Sequence, residues 1–242
     1  MREFDPFDGA LLIDKPAGPT SHDVVDALRR TFRLEKAGHC GTLDPNATGL
    51  LLIVLGKGTK LSEKLMSDDK VYEGMIKFGE ATDSFDADGE LVSSLPVPPM
   101  TMEEINEAAA AFQGDLMQTP PMVSAVKIKG VPLYKMARKG IEVERKARLI
   151  HVYSFRFSNY TEPLGRFRIA CTKGTYVRAL ADELGKKMGC GAHLATLRRT
   201  QSGKFEVKDA LPFEEALKLS TGDLQKRVIP FLQLTQASLA PR

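Results

Sequence analysis

The feature that most constrains the fold is an apolar run, Leu50–Leu55, that directly follows the turn-rich segment Gly38–Gly49. A run of this length between glycines is typical of a strand that is buried on both faces. It is also the longest apolar run in the chain, far below the roughly 20 residues that a membrane-spanning helix needs. The run therefore predicts a central strand of a globular fold, with a tight loop in front of it.

Periodic patterns elsewhere predict both helices and strands. The cap residues Thr20 and Ser21 predict a helix over 21–32, and a capping box that starts at Thr101 predicts another, ending near Phe112. Further helices are expected at 59–66, 133–139, 175–188, 214–219 and 222–228, and strands at 10–13, 70–78, 123–129, 149–157 and 166–172. Residues 189–199 are expected to form a loop and a short helix. This mixture predicts the α+β class, with a mixed, largely antiparallel central sheet flanked by helices and loops.

Composition excludes several broad classes of protein. Hydrophobic residues make up 43% and charged residues 27% of the 242 residues, which excludes a wholly disordered chain. The N-terminus has no positively charged segment before an apolar stretch, which argues against a secretory signal. The three cysteines, Cys40, Cys171 and Cys190, are widely spaced and form no CxxC or Cys/His cluster. Neither a metal site nor a disulfide framework is expected, and a reducing cytoplasm is the natural compartment.

Charge is distributed unevenly, although the net charge is only +3. Residues 80–107 carry eight acidic and no basic side chains, whereas residues 127–148 have a net charge of +6 and residues 166–204 of +7. Aromatic rings, which can stack on bases, lie in or near the two basic segments at Tyr134, Tyr153 and Tyr176. The basic segments are therefore either ordinary solvated faces or parts of a surface for a polyanion such as RNA.

The densest group of chemistry-bearing residues runs from His39 to Leu50. Within it Asp44 precedes a proline, which restricts its backbone, while Gly41 and Gly49 allow tight turns or close backbone approach. A carboxylate held on a rigid loop before a buried strand could act as a nucleophile or a general base. On the pattern alone, an ordinary Asp-Pro turn explains the same residues more simply.

Other positions also have both a functional and a structural interpretation. His39 could be a general acid or base, or a loop histidine whose hydrogen bonds are satisfied. Tyr72 could stack on a base or pack in the core. Thr175 is a natural N-cap of the helix that follows, and Tyr176 and Arg178 then fall in its first turn, where anions are favoured. A surface arginine beside a tyrosine at the edge of the core explains the last two equally well.

Five stretches together resemble the bacterial tRNA pseudouridine-55 synthase family of the TruB type, in sequence and in order. They are Leu12-Ile13-Asp14-Lys15-Pro16 with Thr20-Ser21, Gly38-His39 through Asp44-Pro45-Asn46-Ala47-Thr48-Gly49, Lys70-Val71-Tyr72, Gln118-Thr119-Pro120-Pro121 with Ser124-Ala125-Val126-Lys127, and Cys171 through Arg178, continuing to Leu197-Arg198-Arg199-Thr200. The pattern Gly-His-x-Gly-x-Leu-Asp-Pro-x-Ala-Thr-Gly is highly specific. The resemblance covers about residues 10–205.

The resemblance implies the pseudouridine synthase fold and an isomerase that needs no cofactor or metal. In this family the uridine N1–C1′ bond is cleaved, the base turns over, and it is rejoined to the ribose through C5. Asp44 would be the essential aspartate, which either attacks C1′ or removes a C2′ proton; both routes stay open. Tyr72 would stack on the target base and relay a proton from C5. Arg178 would pair with Asp44 and hold it ionised.

The resemblance also implies how the substrate, the T-arm of tRNA, is bound. Tyr176 and Leu197 would line the base pocket, and His39 would enter the space that the flipped-out uridine leaves. The remaining predicted binding residues are loop positions near the active site and the RNA, namely Lys15, Pro16, Thr20 and Ser21. The basic segment 127–148 corresponds to a family insertion, at about 120–150 here, that clamps the T-arm.

A single catalytic domain is expected over residues 1–230, with a short tail at 231–242. That tail is too short for the RNA-binding PUA-type module that many family members carry. A cytoplasmic monomer without a membrane or protein partner is the simplest expectation.

Other functions are weighed against this one. An RNA-binding module or tRNA-folding chaperone would need no carboxylate facing RNA phosphates. A glycoside hydrolase shares the chemistry at C1′, but Asp44 has no carboxylate partner in its motif. A guide-RNA-dependent synthase would normally retain the PUA module. The intact set of Asp44, Tyr72 and Arg178 favours a stand-alone tRNA uridine isomerase.

Overall fold

The computed structural model describes residues 5–122, 124, 127–128, 130–133, 136, 141 and 143–236. Eight of the 22 residues of the basic segment 127–148, including Tyr134, lie outside these residues, as do most of the strand expected at 123–129 and of the helix expected at 133–139. The chain divides into two compact units, which comprise residues 1–70 with 198–242 and residues 71–197. No helix in the described part of the chain is long and apolar enough to cross a membrane.

The elements are numbered here in chain order. The strands are β1 (Gly9–Lys15), β2 (Ala37–His39), β3 (Thr48–Leu55), β4 (Lys70–Phe78), β5 (Glu80–Thr82), β6 (Leu91–Ser94), β7 (Gly114–Gln118), β8 (Lys127–Ile128), β9 (Val131–Pro132), β10 (Arg148–Thr161), β11 (Leu164–Cys171), β12 (Ala192–Ser202), β13 (Phe205–Glu206), β14 (Leu211–Pro212) and β15 (Ile229–Pro230). The α-helices are α1 (Ser21–Phe32), α2 (Ser62–Met66), α3 (Met102–Ala110), α4 (Val177–Lys187), α5 (Phe213–Ala216), α6 (Thr221–Arg227) and α7 (Phe231–Gln236). Two 3₁₀ helices span Gly56–Leu61 and Val207–Asp209.

The first unit is built around the antiparallel pair β1 and β3, with Ile13 opposite Leu51. Arg198 and Arg199 of β12 pair in parallel with Thr48 and Gly49 of β3, and β14 runs parallel to β1, so the sheet is mixed as predicted. Strand β3 is buried from Gly49 to Leu55. This burial confirms the central strand expected from the apolar run, because β1, β2 and β12 all pair with it.

Helix α1 has the predicted bounds because its signals are local. The Thr20 hydroxyl accepts a hydrogen bond from the Asp23 N–H (3.1 Å), and the Asp23 carboxylate accepts one from the Thr20 N–H (2.8 Å). The buried side chains Val24, Val25, Leu28 and Phe32 recur at helical spacing. The helix ends where Arg33 takes a left-handed conformation, with φ of 52°.

The second unit has the strand order β4-β11-β10-β7. Strand β10 pairs antiparallel with both β11 and β7. In the hydrophobic core of this unit, Phe155 and Phe167 of the sheet pack with Ile105 of α3 and with Leu180 and Leu184 of α4. The two helices therefore supply the apolar side chains that cover this part of the sheet, as expected for the α+β class.

Three local expectations were wrong. Residues 192–202 form strand β12 instead of a loop and a short helix, because pairing with β3 stabilises a segment whose polar residues hide its strand character. Strand β7 was not expected, since it is short and polar and is stabilised by pairing with β10. Thr175 does not cap α4: its hydroxyl donates to the Thr172 carbonyl (2.9 Å), and Tyr176 is the N-cap residue.

Candidate active site

Asp44 lies half-buried in the loop between β2 and β3. A turn at this position is closed by a hydrogen bond from the Ala47 N–H to the Asp44 carbonyl oxygen (3.1 Å). The N–H of Gly18 donates to the carbonyl of Pro45, the next residue in the loop (3.0 Å). The backbone on the C-terminal side of the Asp44 carboxylate is therefore held in a defined conformation.

Ser21, the first residue of α1, holds the residue that precedes Asp44. Its hydroxyl accepts a hydrogen bond from the Leu43 N–H (2.8 Å) and donates one to the Leu43 carbonyl (3.1 Å). The Ser21 side chain is buried, and so is Leu43. Both polar groups of the Leu43 backbone are thus satisfied by one side chain, which ties the loop to the start of the helix.

Lys15 holds the loop from its other side. Its ammonium group donates three hydrogen bonds of 2.8 Å, to the carbonyls of Pro16, Pro45 and Ala47. The residue is 0% exposed, and all three of its N–H groups are used. The side chain predicted to lie near the RNA is therefore a buried support of the loop that carries Asp44.

Arg199 joins the beginning of the loop to the strand that follows it. Its Nε donates to the Leu50 carbonyl (2.7 Å) and its Nη2 to the Gly41 carbonyl (3.1 Å), and the side chain is only 1% exposed. Gly49 packs directly against the backbone of Arg199: a Cβ added there would lie 2.3 Å from the Arg199 carbonyl oxygen. The glycine that the motif contains is thus required by this close approach.

The positive charges beneath the loop are compensated mainly by carbonyl oxygens. Burial lowers the pKa of Lys15 to about 8; the Asp44 carboxylate opposes this shift and the Arg199 charge adds to it. Burial also lowers the pKa of Lys70 to about 8, again with a contribution from Arg199, and Lys70 donates to the carbonyls of Met66 and Asp68. The Asp44 carboxylate thus favours the charged form of the Lys15 ammonium group, against the effect of burial.

The other predicted residues of this unit are more accessible. Pro16 is half-buried, and Thr20 is exposed at the cap of α1. His39 ends β2, and its Nδ1 is buried without a hydrogen-bond partner among the described residues. Burial, with a smaller contribution from Arg199, lowers the pKa of His39 below its usual value.

In the second unit, Tyr176 and Arg178 lie together at the start of α4. The Arg178 guanidinium carbon is 5.8 Å from the centroid of the Tyr176 ring. Arg178 is 3% exposed, and its Nη1 donates to Oδ2 of Asp86 (3.3 Å). Asp86 is itself oriented, because its Oδ1 accepts hydrogen bonds from the Ser84 hydroxyl (2.5 Å) and the Asp88 N–H (3.2 Å). The predicted pairing of Arg178 with Asp44 stays a prediction.

Tyr72 and Leu197 also belong to the second unit. Both side chains are partly buried and pack against the same apolar cluster, which contains Phe155 and Leu180 among others. Tyr72 lies on β4 and Leu197 on β12. Their predicted contacts with the target base stay predictions.

Three residues that hold the predicted site residues in place were not singled out from the sequence. Arg199 is adjacent to Arg198 in the chain and differs from it only in facing the interior. Asp86 is one of eight acidic residues in 80–107, and nothing in the sequence distinguishes it from the others. Gln118 stands in the motif Gln118-Thr119-Pro120-Pro121, which was a signal for the family but assigned no role to the glutamine.

In the described part of the chain, no group of three or more His, Cys, Asp or Glu residues could hold a metal ion.

Two family models match the chain. The model described as TruB family pseudouridylate synthase (N terminal domain) matches residues 29–177, and the model described as tRNA pseudouridylate synthase B C-terminal domain matches residues 178–231. Together they cover the loop that carries Asp44 and the start of α4.

Curated relatives match over almost the whole chain. A tRNA pseudouridine synthase B from Opitutus terrae is 55% identical over 226 residues, which are 93% of this chain and 94% of the relative. Another, from Endomicrobium trichonymphae, is 44% identical over 229 residues, or 95% of this chain and 99% of the relative.

Solved structures share the fold. A chain in the crystal structure of a Cbf5-Nop10-Gar1 complex superposes with a TM-score of 0.73 at 28% identity, over 93% of this chain and 60% of that chain. A chain in the structure of an H/ACA RNP bound to a substrate RNA containing 2'-deoxyuridine has a TM-score of 0.69 at 25% identity, over 93% and 59%. The present chain thus spans about three fifths of the length of either.

Proposed function

Because the chain belongs to the TruB family of pseudouridylate synthases, we propose that it isomerises the T-loop uridine of tRNA to pseudouridine. Membership confirms the family resemblance seen in the sequence. Relatives of nearly the same length are tRNA pseudouridine synthases, which makes this chain an isomerase that acts on tRNA uridine. The proposal goes beyond family membership in one respect, which is that the modified uridine lies in the T-loop.

The observation that carries the proposal is the support of Asp44. The reaction breaks N1–C1′ and forms C5–C1′, so it needs a group beside the ribose that acts while the base is detached. An ionised carboxylate does this either by attack on C1′ or by removal of a C2′ proton. Lys15 and Ser21 hold the loop on both sides of Asp44, so the carboxylate stands on a backbone of fixed conformation.

The other roles follow from the resemblance. Tyr72 stacks on the target base and relays a proton from C5 in the last step, while Tyr176 and Leu197 line the pocket for the base. Arg178 keeps the active carboxylate ionised, and its own orientation is set by Asp86.

For the tRNA, Pro16, Thr20 and His39 are the accessible candidates for RNA contact in the first unit. His39 enters the space that the flipped uridine leaves; its lowered pKa suits this role, because a neutral imidazole stacks on bases without the desolvation of a charge. Lys15 and Ser21 act through the loop. The basic segment 127–148 clamps the T-arm, and the active species is a cytoplasmic monomer.

The experiment is release of tritium from a tRNA transcript that carries C5-labelled uridine, without added metal or cofactor. Wild type is compared with Asp44→Asn and with Asp209→Asn, a matched control that neutralises an exposed carboxylate. We expect release by wild type and by Asp209→Asn, and none by Asp44→Asn, with the tRNA Kd changed less than severalfold. A transcript with cytidine in place of the T-loop uridine should release nothing above background.

Two outcomes contradict the proposal in different ways. Multiple turnover by Asp44→Asn would remove Asp44 from its assigned role while leaving the reaction in place. Tight tRNA binding by wild type without any release would favour the other candidate, an RNA-binding module or chaperone.

A further inference from the structure

Gln118 forms a two-way connection to the backbone of Tyr176. It is the last residue of β7, and its side chain is 5% exposed. Its Oε1 accepts a hydrogen bond from the Tyr176 N–H (2.8 Å), and its Nε2 donates to the Tyr176 carbonyl oxygen (3.1 Å). One amide therefore satisfies both polar groups of one residue, 58 positions away in the chain.

This connection occurs where α4 has no cap of its own. Tyr176 is the N-cap residue, but no side chain at that position caps the helix. The Tyr176 carbonyl also accepts hydrogen bonds from the first turn of the helix, from the Ala179 N–H (3.1 Å) and the Leu180 N–H (3.4 Å), in addition to the one from Gln118. The start of the helix is thus held from outside, by a strand of the sheet, instead of by a Ser, Thr, Asp or Asn in the cap position.

The held segment carries two residues assigned to the reaction. The ring of Tyr176 lies against the Arg178 guanidinium, at 5.8 Å, and Arg178 is in the first turn of α4. Because an amide that donates and accepts at once fixes the peptide in one orientation, a change at Gln118 alters the direction of the Tyr176 ring. The guanidinium that packs on this ring then shifts with it.

We propose that Gln118 is a positioning residue for pseudouridine formation, which sets the Tyr176 ring and the Arg178 guanidinium through the Tyr176 backbone. The inference rests on the proposed function, because it takes Tyr176 to line the pocket for the target base and Arg178 to act on the active carboxylate. Displacement of a reacting group by about 1 Å can cost about a hundredfold in rate. Loss of the connection therefore affects the chemical step more than the affinity for tRNA.

The chain contains a matched control for this geometry. Asn106 of α3 connects in the same two-way manner to Phe157 of β10: its Oδ1 accepts from the Phe157 N–H (2.8 Å) and its Nδ2 donates to the Phe157 carbonyl (3.2 Å). Phe157 is a core residue with no role assigned in the reaction. The Asn106 Nδ2 also donates to the Met102 carbonyl (3.0 Å), so loss of this amide removes one hydrogen bond more than loss of Gln118. The stability cost is therefore at least as large, and neither Tyr176 nor Arg178 is touched.

The test measures single-turnover tritium release, tRNA Kd and thermal midpoint for wild type, Gln118→Met, Gln118→Glu and Asn106→Leu. Gln118→Met keeps the length of the side chain but removes both hydrogen bonds. We expect its single-turnover rate to fall about tenfold to a hundredfold, with the Kd within about threefold of wild type. Asn106→Leu should lower the thermal midpoint comparably and keep the rate within about twofold.

Gln118→Glu adds a readout that stability alone does not move. An ionised glutamate accepts from the Tyr176 N–H but faces the Tyr176 carbonyl without a donor; a protonated one restores both hydrogen bonds. The rate of this variant relative to wild type should therefore rise as the pH is lowered from about 8 to about 5.5, since a glutamate pKa near 4 is raised by burial. This variant also decides the question if Gln118→Met fails to fold.

Equal rate losses in Gln118→Met and Asn106→Leu would overturn the inference, and so would a loss confined to Kd or a pH-independent ratio for Gln118→Glu. Absence of tritium release by wild type would mean failure of the proposed function, and the inference would fail with it. Release by wild type with an unchanged rate in Gln118→Met would mean failure of the inference alone.

Discussion

Ser21 and Leu43 are joined by two hydrogen bonds, since the Ser21 hydroxyl accepts from the Leu43 N–H and donates to the Leu43 carbonyl. Leu43 directly precedes Asp44, so the first residue of α1 sets the backbone that leads into the catalytic candidate. This contact explains why a serine at the start of the helix belongs to the same constellation as a carboxylate 23 positions later in the sequence.

Ser21→Ala is expected to lower both stability and rate. The substitution leaves two buried backbone groups of Leu43 without a partner, which costs about 1–3 kcal/mol in the free energy of unfolding. The freed loop also places Asp44 less well, so kcat should fall about tenfold while the tRNA Kd stays within a few fold. Ser62→Ala is the matched control, because the Ser62 hydroxyl donates to the Thr59 carbonyl (2.7 Å) away from this loop. Equal kcat values in the two variants would contradict the prediction.

Gly49→Ala is expected to be far more disruptive than Gly114→Ala. Both glycines have positive φ, +99° and +90°, so an added Cβ is strained at either position. At Gly49 the Cβ would also lie 2.3 Å from the Arg199 carbonyl oxygen, whereas at Gly114 nothing lies within 4 Å. Chemical denaturation should therefore show a loss of about 1 kcal/mol for Gly114→Ala and at least about twice that for Gly49→Ala. Similar losses would mean that β3 and β12 separate easily at this point.

Local signals explain which parts of the fold could be predicted. Helix α1 was predicted with its observed bounds because Thr20 and the apolar spacing are both encoded within it. Strand β12 was missed because its stability comes from pairing with β3, which is distant in sequence. Adjacent strand residues face opposite sides, so Arg198 reaches the Asp14 carboxylate (2.6 Å) while Arg199 enters the core.

The candidate site was predicted to a similar extent. Asp44 was identified from its motif, and two of the residues that support it, Lys15 and Ser21, stand in another of the stretches that carry the resemblance. The buried position of Lys15 and its hydrogen bonds to three carbonyl oxygens could not be predicted, because a lysine is usually exposed at the surface. The partner of Arg178 was not identifiable either, since Asp86 lies 92 positions away among many acidic residues.

Lys70 is expected to give the stability a specific pH dependence. Burial lowers its folded-state pKa from 10.5 to about 8. Between about pH 8 and pH 10.5 the unfolded chain then binds more protons at this residue than the folded chain, so its contribution to the free energy of unfolding rises with pH in that window. Lys15, with a similarly lowered pKa, contributes in the same direction.

The measurement is urea denaturation of wild type and Lys70→Met at several pH values from 7 to 10. The difference in free energy of unfolding, wild type minus variant, should become more positive as the pH rises. Lys218→Met, at an exposed position, is the control for the loss of one lysine side chain. A constant difference for Lys70→Met would show that Lys70 is as easily protonated in the folded chain as in the unfolded one.

Asp86→Asn is expected to reduce the rate through Arg178. The asparagine keeps an oxygen for the Ser84 hydroxyl and the Asp88 N–H but loses the charge that faces the buried guanidinium. A buried arginine beside a neutral amide is free to take other orientations, so kcat should fall about tenfold to a hundredfold while the tRNA Kd changes little. The thermal midpoint should fall as well, because the arginine charge is less well compensated.

The matched control for this prediction is Asp83→Asn. Asp83 lies with Asp86 in the loop between β5 and β6, and its Oδ1 accepts a hydrogen bond from the Glu90 N–H (2.9 Å). That substitution removes the same charge from the same surface but leaves Arg178 paired. If both variants lose activity equally, the effect belongs to the charge of the loop and not to the contact with Arg178. If only Asp86→Asn does so, and Arg178→Lys has a similar defect that is not additive with it, the two residues act as one unit.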